Sequence, residues 1–225
     1  MHWPGRETSG PTPWLKPSLQ RQMKIVTLAI QGLLSVALAS ALSPCWAQAN
    51  EARAKKIVSG VCFVCHGAEG ESASEAFPRL AGQHAEYIAK QLDNFKSGKR
   101  QSSAMAGMVA KLTPEEMLAL GKYFEKQTVP VETPQDATLA AAGRALYHSG
   151  LPQSGVPACA SCHGSQALGT ATLPRLAGQH AAYITAQLKQ FHQRERTNDN
   201  AVMHAVASKM TASEMAAVAE YLSGK

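Results

Sequence analysis

The chain has 225 residues, with 22 Lys and Arg against 16 Asp and Glu and a formal net charge of +6. The first 49 residues hold four of the basic and one of the acidic side chains, so the rest carries 18 against 15, a net charge of +3. This bias is too weak to indicate a nucleic-acid-binding protein. Aromatic residues make up only 6% of the chain, which is little for two separate cores and favours a large apolar cofactor.

The N-terminal segment has the pattern of an export signal. From Met23 it runs MKIVTLAIQGLLSVALASALSPCWAQA, a lysine followed by an apolar run and small residues, and the AQA at 47–49 fits a cleavage site. We therefore expect residues 1–49 to be a removed signal peptide with an over-extended start. The apolar run at 25–42 approaches the length of a membrane-spanning helix, so an uncleaved anchor is the competing interpretation.

Two CxxCH motifs, VCFVCHG and ACASCHG, indicate the chemistry. Two thiols three positions apart each add across a vinyl group of a haem, and the adjacent histidine then lies under the ring as an iron ligand. The fifth cysteine, Cys45, lies in the segment expected to be removed. We predict two covalently bound c-type haems, held by Cys62, Cys65 and His66 in the first motif and by Cys159, Cys162 and His163 in the second.

Zinc is the main alternative to haem at these motifs. A zinc ion would use both CxxC pairs together or each pair as part of a site, but structural zinc motifs seldom place His beside the second Cys. A thioredoxin-like redox pair is expected in a βαβ setting, and no segment of the sequence shows strand-like alternation. Two CxxCH motifs in register therefore favour haem.

The chain after the signal segment is a tandem duplication. FPRLAGQHAEYIAKQLDNF at 77–95 returns as LPRLAGQHAAYITAQLKQF at 173–191, and MAGMVAKLTPEEM returns as MHAVASKMTASEM. The order and the offsets of 96 to 98 residues are kept, so we predict two copies of one domain, residues 50–130 and 131–225. The boundary lies in the Pro-containing stretch QTVPVETPQDA.

Each copy is predicted to be helical. The apolar residues of HAEYIAKQLDNF recur at helical spacing, and the T-x-x-E sequences that begin at Thr113 and Thr211 are typical helix N-termini. The second copy has about eight additional residues before its CxxCH motif, in SGLPQSGVPA, which we expect to form a loop. The predicted fold class is all-α, with each copy wrapped around one covalent haem.

The repeat also selects the second iron ligand in each copy. Methionine sulfur raises the potential of a haem, whereas a second histidine lowers it. Met105 lies 39 residues after His66 and Met203 lies 40 after His163, each in a segment expected to be irregular, ahead of a capped helix. We therefore favour Met105 and Met203 as axial ligands.

Other methionines and histidines are weaker candidates for the iron. Met117 and Met215 correspond between the copies, but they lie on the apolar face of the capped helix, where core packing is the expected role. His84 and His180 also correspond and leave a bis-histidine alternative open. Three candidates have no residue of the same type at the matching position in the other copy: Met108, His192 and His204.

Further residues are candidates for supporting contacts around each haem. A ligating histidine donates its free N–H to an acceptor, commonly a carbonyl. Pro78 and Pro174 lack an N–H and have a fixed φ, so their carbonyls can be presented to the two motif histidines. The candidates for pairing with the haem propionates are Arg79, Tyr87, Arg175 and Tyr183; for the arginines, a solvated loop charge is the alternative.

The combination of motifs resembles the dihaem cytochrome c4 family. The shared pattern is a signal peptide and two class I-type cytochrome c domains, each with CxxCHG, [FL]PRLAGQ, a helix, a methionine segment and KLT or KMT before Y[FL]. The resemblance covers essentially all of residues 50–225. It implies proximal His66 and His163, distal Met105 and Met203, and two domains packed about a pseudo-twofold axis with their propionate edges facing.

The same resemblance implies an electron carrier of the bacterial periplasm. It would pass electrons from a quinol-oxidising complex toward a terminal oxidase, often at the membrane surface. The haem-bearing acceptor subunit of a flavoprotein dehydrogenase is an alternative, and a dihaem peroxidase, which needs an open or displaceable iron ligand, is another. Because each copy offers a methionine, we expect irons with both axial positions filled and no enzymatic activity. The resemblance implies redox proteins as partners, and the small net charge argues against nucleic acid.

Overall fold

The structure is a computed structural model that describes residues 48–225. The expected signal segment as far as Ala47, with Cys45, lies outside the described residues. Regular structure in 48–225 consists of helices and one isolated bridge between Leu151 and Val156, so the all-α prediction is confirmed. None of the helices formed by these residues combines the length and the apolarity needed to cross a membrane.

The first copy presents its CxxCH motif on a continuous helical run. This run, α1, includes residues 48–57, passes through a π-helical turn at Val58–Cys62 and ends in Phe63–His66. Gly67 ends it at a φ of 79°, a conformation that favours glycine. The other helices of this copy are α2 (Ala85–Lys96), α3 (Ser103–Val109) and α4 (Pro114–Glu125).

The second copy reaches its motif through a loop. After α5 (Ala137–Ser149) the chain forms a loop, which an isolated β-bridge between Leu151 and Val156 closes. It then enters the short α6 (Ala160–His163). The predicted loop at SGLPQSGVPA is therefore present, apart from Ser149 at the helix end. The remaining helices are α7 (Ala181–His192), α8 (Val202–Ala207) and α9 (Ala212–Ser223).

Both T-x-x-E sequences form the expected capping boxes. The Thr113 hydroxyl accepts from the Glu116 N–H at 3.2 Å, and the Glu116 carboxylate accepts from the Thr113 N–H at 3.0 Å. Thr211 and Glu214 repeat both bonds at 3.3 and 2.7 Å. Each box satisfies N–H groups that the first turn of a helix leaves unpaired, and so fixes the starts of α4 and α9.

Each copy has its own hydrophobic core, built where a capped helix crosses an earlier one. In the first copy α4 packs on α2, and a Cβ at Gly121 would overlap the backbone of Ala85. In the second copy α9 packs on α5, and a Cβ at Gly143 would overlap the carbonyl of Ala217. The larger core side chains are Val58, Ile88, Val109, Leu120 and Phe124 in the first copy and Tyr147, Ile184, Leu188, Val218 and Leu222 in the second.

Residues 49–225 form one compact unit, so the copies contact each other directly. The non-helical stretch between α4 and α5 takes part, since Val129 lies against both LAGQ turns. A Cβ added at Gly82 or at Gly178 would overlap the side chain of Val129. Both glycines have positive φ values, 65° and 75°. The turns can therefore approach this valine only because glycine occupies both positions.

Candidate haem centres

Each CxxCH histidine is oriented by a proline carbonyl. His66 Nδ1 lies 2.9 Å from the carbonyl oxygen of Pro78, and His163 Nδ1 lies 3.2 Å from that of Pro174. Because a carbonyl only accepts, Nδ1 carries the proton and Nε2 keeps a lone pair, which is the tautomer that binds a metal. Burial lowers the pKa of both imidazoles, although the proline carbonyls oppose this shift. Both histidines are therefore suited to bind iron through Nε2.

One motif cysteine and the candidate methionine of each copy lie beside the same hydrophobic core. The side chains of Cys62 and Met105 pack against the first core, and those of Cys159 and Met203 pack against the second. None of the four motif cysteines is paired in a disulfide. Burial raises the pKa of the Cys62 thiol, and it raises that of Cys159 to about 11. In each copy the first motif cysteine and the candidate methionine thus pack against the same core.

The donor set suits a haem in its composition and its surroundings. Among residues 48–225 no three side chains of His, Cys, Asp and Glu are grouped as a metal site, although a pooled zinc site requires such a group. Large, partly exposed apolar side chains lie beside and within the first motif: Val61, which precedes it, is 43% exposed, and Phe63 and Val64, between its two cysteines, are 46% and 72% exposed. An apolar macrocycle attached at the motif matches such surface chemically.

The two candidate methionines lie in short helices, so the expectation of irregular segments was wrong. Met105 is in the first turn of α3, where its N–H donates to the Ser102 hydroxyl at 3.3 Å. Met203 is in the first turn of α8, where its N–H donates to the Asp199 carboxylate at 2.6 Å. Both polar side chains accept a hydrogen bond from the first turn of the helix that follows. Because the sequences before the two methionines differ, the repeat did not reveal these helix starts.

The weaker candidates for the iron have other surroundings. Met117 and Met215 are both 3% exposed and lie in the cores, as expected for packing residues. Met108 is 52% exposed. His192 and His204 each use Nδ1 to contact a backbone carbonyl of their own copy, at 2.9 and 2.8 Å.

The histidine pair of the bis-histidine alternative makes contacts between the copies. His84 Nε2 lies 2.7 Å from the carbonyl oxygen of Leu168, and His180 Nε2 lies 2.8 Å from that of Ser72. Donors and acceptors are both 96 residues apart, so the two bonds are related by the duplication. His180 Nδ1 is the one fully buried side-chain nitrogen or oxygen among the described residues that has no hydrogen-bond partner.

The glutamines of the LAGQ turns also bind the opposite copy. Gln83 accepts from the Arg175 N–H at 2.8 Å and donates to the Arg175 carbonyl at 2.9 Å. Gln179 does the same with Arg79, at 2.9 Å for both bonds. Each side-chain amide thus satisfies both backbone groups of one residue. Because the contacts are reciprocal, the two copies are related by an approximate twofold axis.

Comparison with known proteins places this architecture in a family. The family model of cytochrome c matches residues 51–128 and 140–224. The chain is 37% identical over 196 residues to cytochrome c4 of Pseudomonas aeruginosa, covering 85% of this chain and 97% of that protein. The crystal structure of reduced cytochrome c4 from Pseudomonas stutzeri is similar with a TM-score of 0.73 at 34% identity, covering 79% of this chain and 97% of that one. The chain belongs to the cytochrome c4 family.

A third relative has a more specific description. The thiosulfate dehydrogenase electron acceptor of Thiomonas intermedia is 37% identical over 204 residues, covering 88% of this chain and 93% of that protein. As a member of the cytochrome c4 family, this protein carries two covalently attached c-type haems and is a dihaem electron carrier. Its partners are redox proteins.

The arginines that follow the two prolines are engaged within the protein. Arg79 is 6% exposed; its Nη1 donates to the carbonyl of Gly178 at 2.7 Å and its Nη2 pairs with Glu132. Arg175 donates through Nε to the carbonyl of Ala177 at 3.1 Å. Their pairing with haem propionates stays a prediction, and the contacts shown are with the polypeptide.

Sequence analysis missed a second symmetric network, centred on Arg100 and Arg196. Arg100 donates to the Tyr183 hydroxyl at 2.8 Å, and Arg196 donates to the Tyr87 hydroxyl at 3.0 Å, so each bond crosses between the copies. Both arginines follow the last phenylalanine of the repeated segment by five residues, at the shared offset of 96. The shared offset could have shown that the two arginines correspond. However, the segments that contain them, KSGKRQSSAM and HQRERTNDNAVM, differ too much for this correspondence to be noticed.

Proposed function

We propose that the protein is exported to the periplasm, where it carries electrons from a quinol-oxidising complex toward a terminal oxidase. The observation that carries this proposal is the reciprocal binding of Gln83 and Gln179, which holds two haem domains in one defined arrangement. Such an arrangement suits a carrier that accepts an electron at one haem and releases it from the other. The export-type pattern of residues 1–49 supports the location.

We further propose that the iron ligands are His66 with Met105 and His163 with Met203. The proline carbonyls leave Nε2 of each histidine free for iron, and each methionine packs against the same core as a motif cysteine. An iron with both axial positions filled changes its oxidation state without binding a substrate. We therefore assign no catalytic residue and favour electron transfer over a peroxidase activity.

A second candidate function is that of electron acceptor for a sulfur-compound dehydrogenase. It is supported by the similarity to the Thiomonas protein, which spans 93% of that relative. Both functions require a redox enzyme as the electron donor, but they differ in which donor reduces this protein rapidly. The sulfur compound itself would be oxidised by the partner enzyme.

Reduction kinetics distinguish the two donors. The oxidised holoprotein is mixed in a stopped-flow instrument with membranes that contain the quinol-oxidising complex and a quinol, and separately with thiosulfate dehydrogenase and thiosulfate. The first proposal predicts rapid haem reduction by the membranes that a quinol-site inhibitor abolishes. Rapid reduction by the dehydrogenase alone would support the second function, and slow reduction by both donors would contradict both.

A further inference from the structure

Two buried arginines lie between the copies without an acidic partner. Arg100 and Arg196 are only 9% and 7% exposed. Within residues 48–225 neither forms an ion pair with Asp or Glu, whereas the buried Arg79 pairs with Glu132. Removing a charge from water without a counter-charge is costly, so an uncompensated buried guanidinium calls for an explanation.

The two guanidinium groups are also close neighbours, because they share acceptors. Arg100 donates to the Gln91 and Gln187 side-chain oxygens at 2.9 and 2.7 Å. Arg196 donates to the same two oxygens, at 3.2 and 2.7 Å. Two like charges that share neutral acceptors repel each other, and burial removes the water that would screen them. The pair therefore requires anionic groups that the described polypeptide does not provide.

The acceptors come from both copies. Each arginine bonds the glutamine of its own copy, and also the glutamine and the tyrosine hydroxyl of the other copy. Each guanidinium also lies over a phenylalanine ring of its own copy, 4.6 Å from the Phe95 centroid and 4.5 Å from that of Phe191. These contacts fix both cations at the junction of the two haem domains.

We propose that Arg100 and Arg196 together neutralise haem propionates from both domains, and so couple the two haems electrostatically. A c-type haem carries two propionate carboxylates as its only acidic groups, and this protein holds two such haems. The inference rests on the haems and not on the proposed electron donor. It assigns the propionates to Arg100 and Arg196 in place of Arg79, which already has Glu132 as its counter-charge, and of Arg175, which within residues 48–225 shares no acceptor with a second arginine side chain.

Potentiometric titration of the holoprotein with Arg100→Gln or Arg196→Gln tests this coupling. A positive charge near a haem favours ferrous iron, so its removal lowers the reduction potential. Because each arginine serves both domains, either variant is expected to lower both potentials, by at least about threefold in the reduction equilibrium constant. Lys90→Gln is the matched control, since Lys90 is exposed on the same helix as Gln91 and its loss removes the same charge.

Two outcomes of this titration would overturn the proposal. In the first, each arginine variant shifts the potential of one haem only. In the second, neither shifts a potential more than Lys90→Gln does. Failure of the proposed donor in the reduction kinetics would leave these potentials unaffected, so the two proposals fail separately.

Arg100→Lys separates the charge from a purely structural role. Lysine keeps the positive charge but lacks the planar fork that joins the glutamines and Tyr183. The proposal predicts potentials near those of the wild type for Arg100→Lys and lowered potentials for Arg100→Gln. If Lys and Gln lowered both potentials equally, the arginine would act only as a bridge between domains, and the proposal would be wrong.

Buffer composition and pH distinguish propionates from free anions. Titrations in phosphate, in chloride and in a zwitterionic buffer without either are expected to give the same potentials, because the carboxylates belong to the haems. A dependence of the wild-type potentials on phosphate or chloride would contradict the proposal. In Arg100→Gln the propionate pKa rises, so both potentials are expected to fall with increasing pH over a range where wild-type potentials stay constant. A pH dependence identical to the wild type would also contradict it.

Discussion

The two copies share the parts that hold a haem and join the domains, but the surroundings of their irons differ. The first CxxCH motif ends a long helix with a π-helical turn, whereas the second follows a loop and a single turn of helix. The N-cap of the helix with Met105 is the neutral Ser102, whereas the N–H of Met203 donates to the anionic Asp199, which lies two residues before the N-cap Ala201. Between its two cysteines the first motif carries the large apolar Phe63 and Val64, whereas the second carries the small Ala160 and Ser161.

This comparison indicates which features the duplication has kept. The proline carbonyls, the LAGQ glutamines and the buried arginines occupy equivalent positions and make equivalent contacts in both copies. The features that differ lie close to the iron ligands. We therefore expect two haems with the same types of axial ligand and different reduction potentials. The interface between them makes equivalent contacts with both domains.

The largest expected effect is that of replacing the methionines proposed as axial ligands. Met105→His and Met203→His should each lower the potential of one haem by on the order of a few tenths of a volt, since nitrogen ligation stabilises ferric iron. Redox titration of the holoprotein followed by visible absorption measures both potentials. Met108→His is the control, because Met108 is exposed and should leave both potentials in place. An unchanged pair of potentials in Met105→His or Met203→His would exclude that methionine as a ligand.

The interface glutamines should affect stability unequally. Gln83→Leu and Gln179→Leu each leave a backbone N–H and C=O of an arginine unpaired, at a cost of about 1–3 kcal/mol for each group that is buried. The bonds of Gln179 to Arg79 are fully buried and those of Gln83 to Arg175 are partly exposed, so Gln179→Leu should cost more. Urea unfolding of the holoprotein measures the difference.

Gln101→Leu provides the baseline for this comparison, because the exposed Gln101 side chain donates only locally, to the Gly98 carbonyl. A Gln179→Leu variant as stable as Gln101→Leu would show that the reciprocal bonds do not stabilise the interface.

Replacing Asp199 tests whether its charge contributes to the difference in reduction potential between the two haems. Asp199→Asn keeps a side-chain oxygen for the N–H of Met203 but removes a negative charge, so the potential of the second haem should rise. Ser102→Ala removes the corresponding cap in the first copy at a cost of about 1 kcal/mol in stability, with no change of charge. Redox titration and thermal unfolding of both variants separate the two effects. A fall in the second potential in Asp199→Asn would contradict the electrostatic explanation.

The smallest expected effect concerns pH. Burial, with a further contribution from Arg79, lowers the pKa of His180 below its usual 6.5, while the Ser72 carbonyl and Glu75 act against this. Glu132 also faces its Nδ1, at 3.8 Å. Because the unfolded chain binds the proton more readily, His180 should reduce the free energy of unfolding as the pH falls below about 6.5.

His180→Gln should therefore weaken the loss of stability between about pH 7.5 and pH 5.5, as measured by urea unfolding. A pH dependence left unchanged by His180→Gln would contradict this explanation.

Much of the fold followed from the sequence because its signals are local. The CxxCH motifs and the T-x-x-E boxes combine residues a few positions apart, and the repeat is legible as an offset. The contacts of His84, Gln83 and Arg100 join residues from both copies, so they depend on how the copies pack, which no local pattern encodes. The short helices around Met105 and Met203 were missed for another reason. Ser102 lies three residues before Met105 and Asp199 lies four residues before Met203, so the two copies show no shared helix-start signal.

Near-infrared magnetic circular dichroism of the ferric holoprotein tests the central claim most directly, because the energy of its charge-transfer band depends on the axial ligands of the iron. We predict a band characteristic of His–Met ligation with an intensity of two haems per chain, reduced by half in Met105→His and in Met203→His. A band at the energy of bis-histidine ligation, or an intensity of one His–Met haem per chain, would contradict two equivalent centres in one duplicated protein.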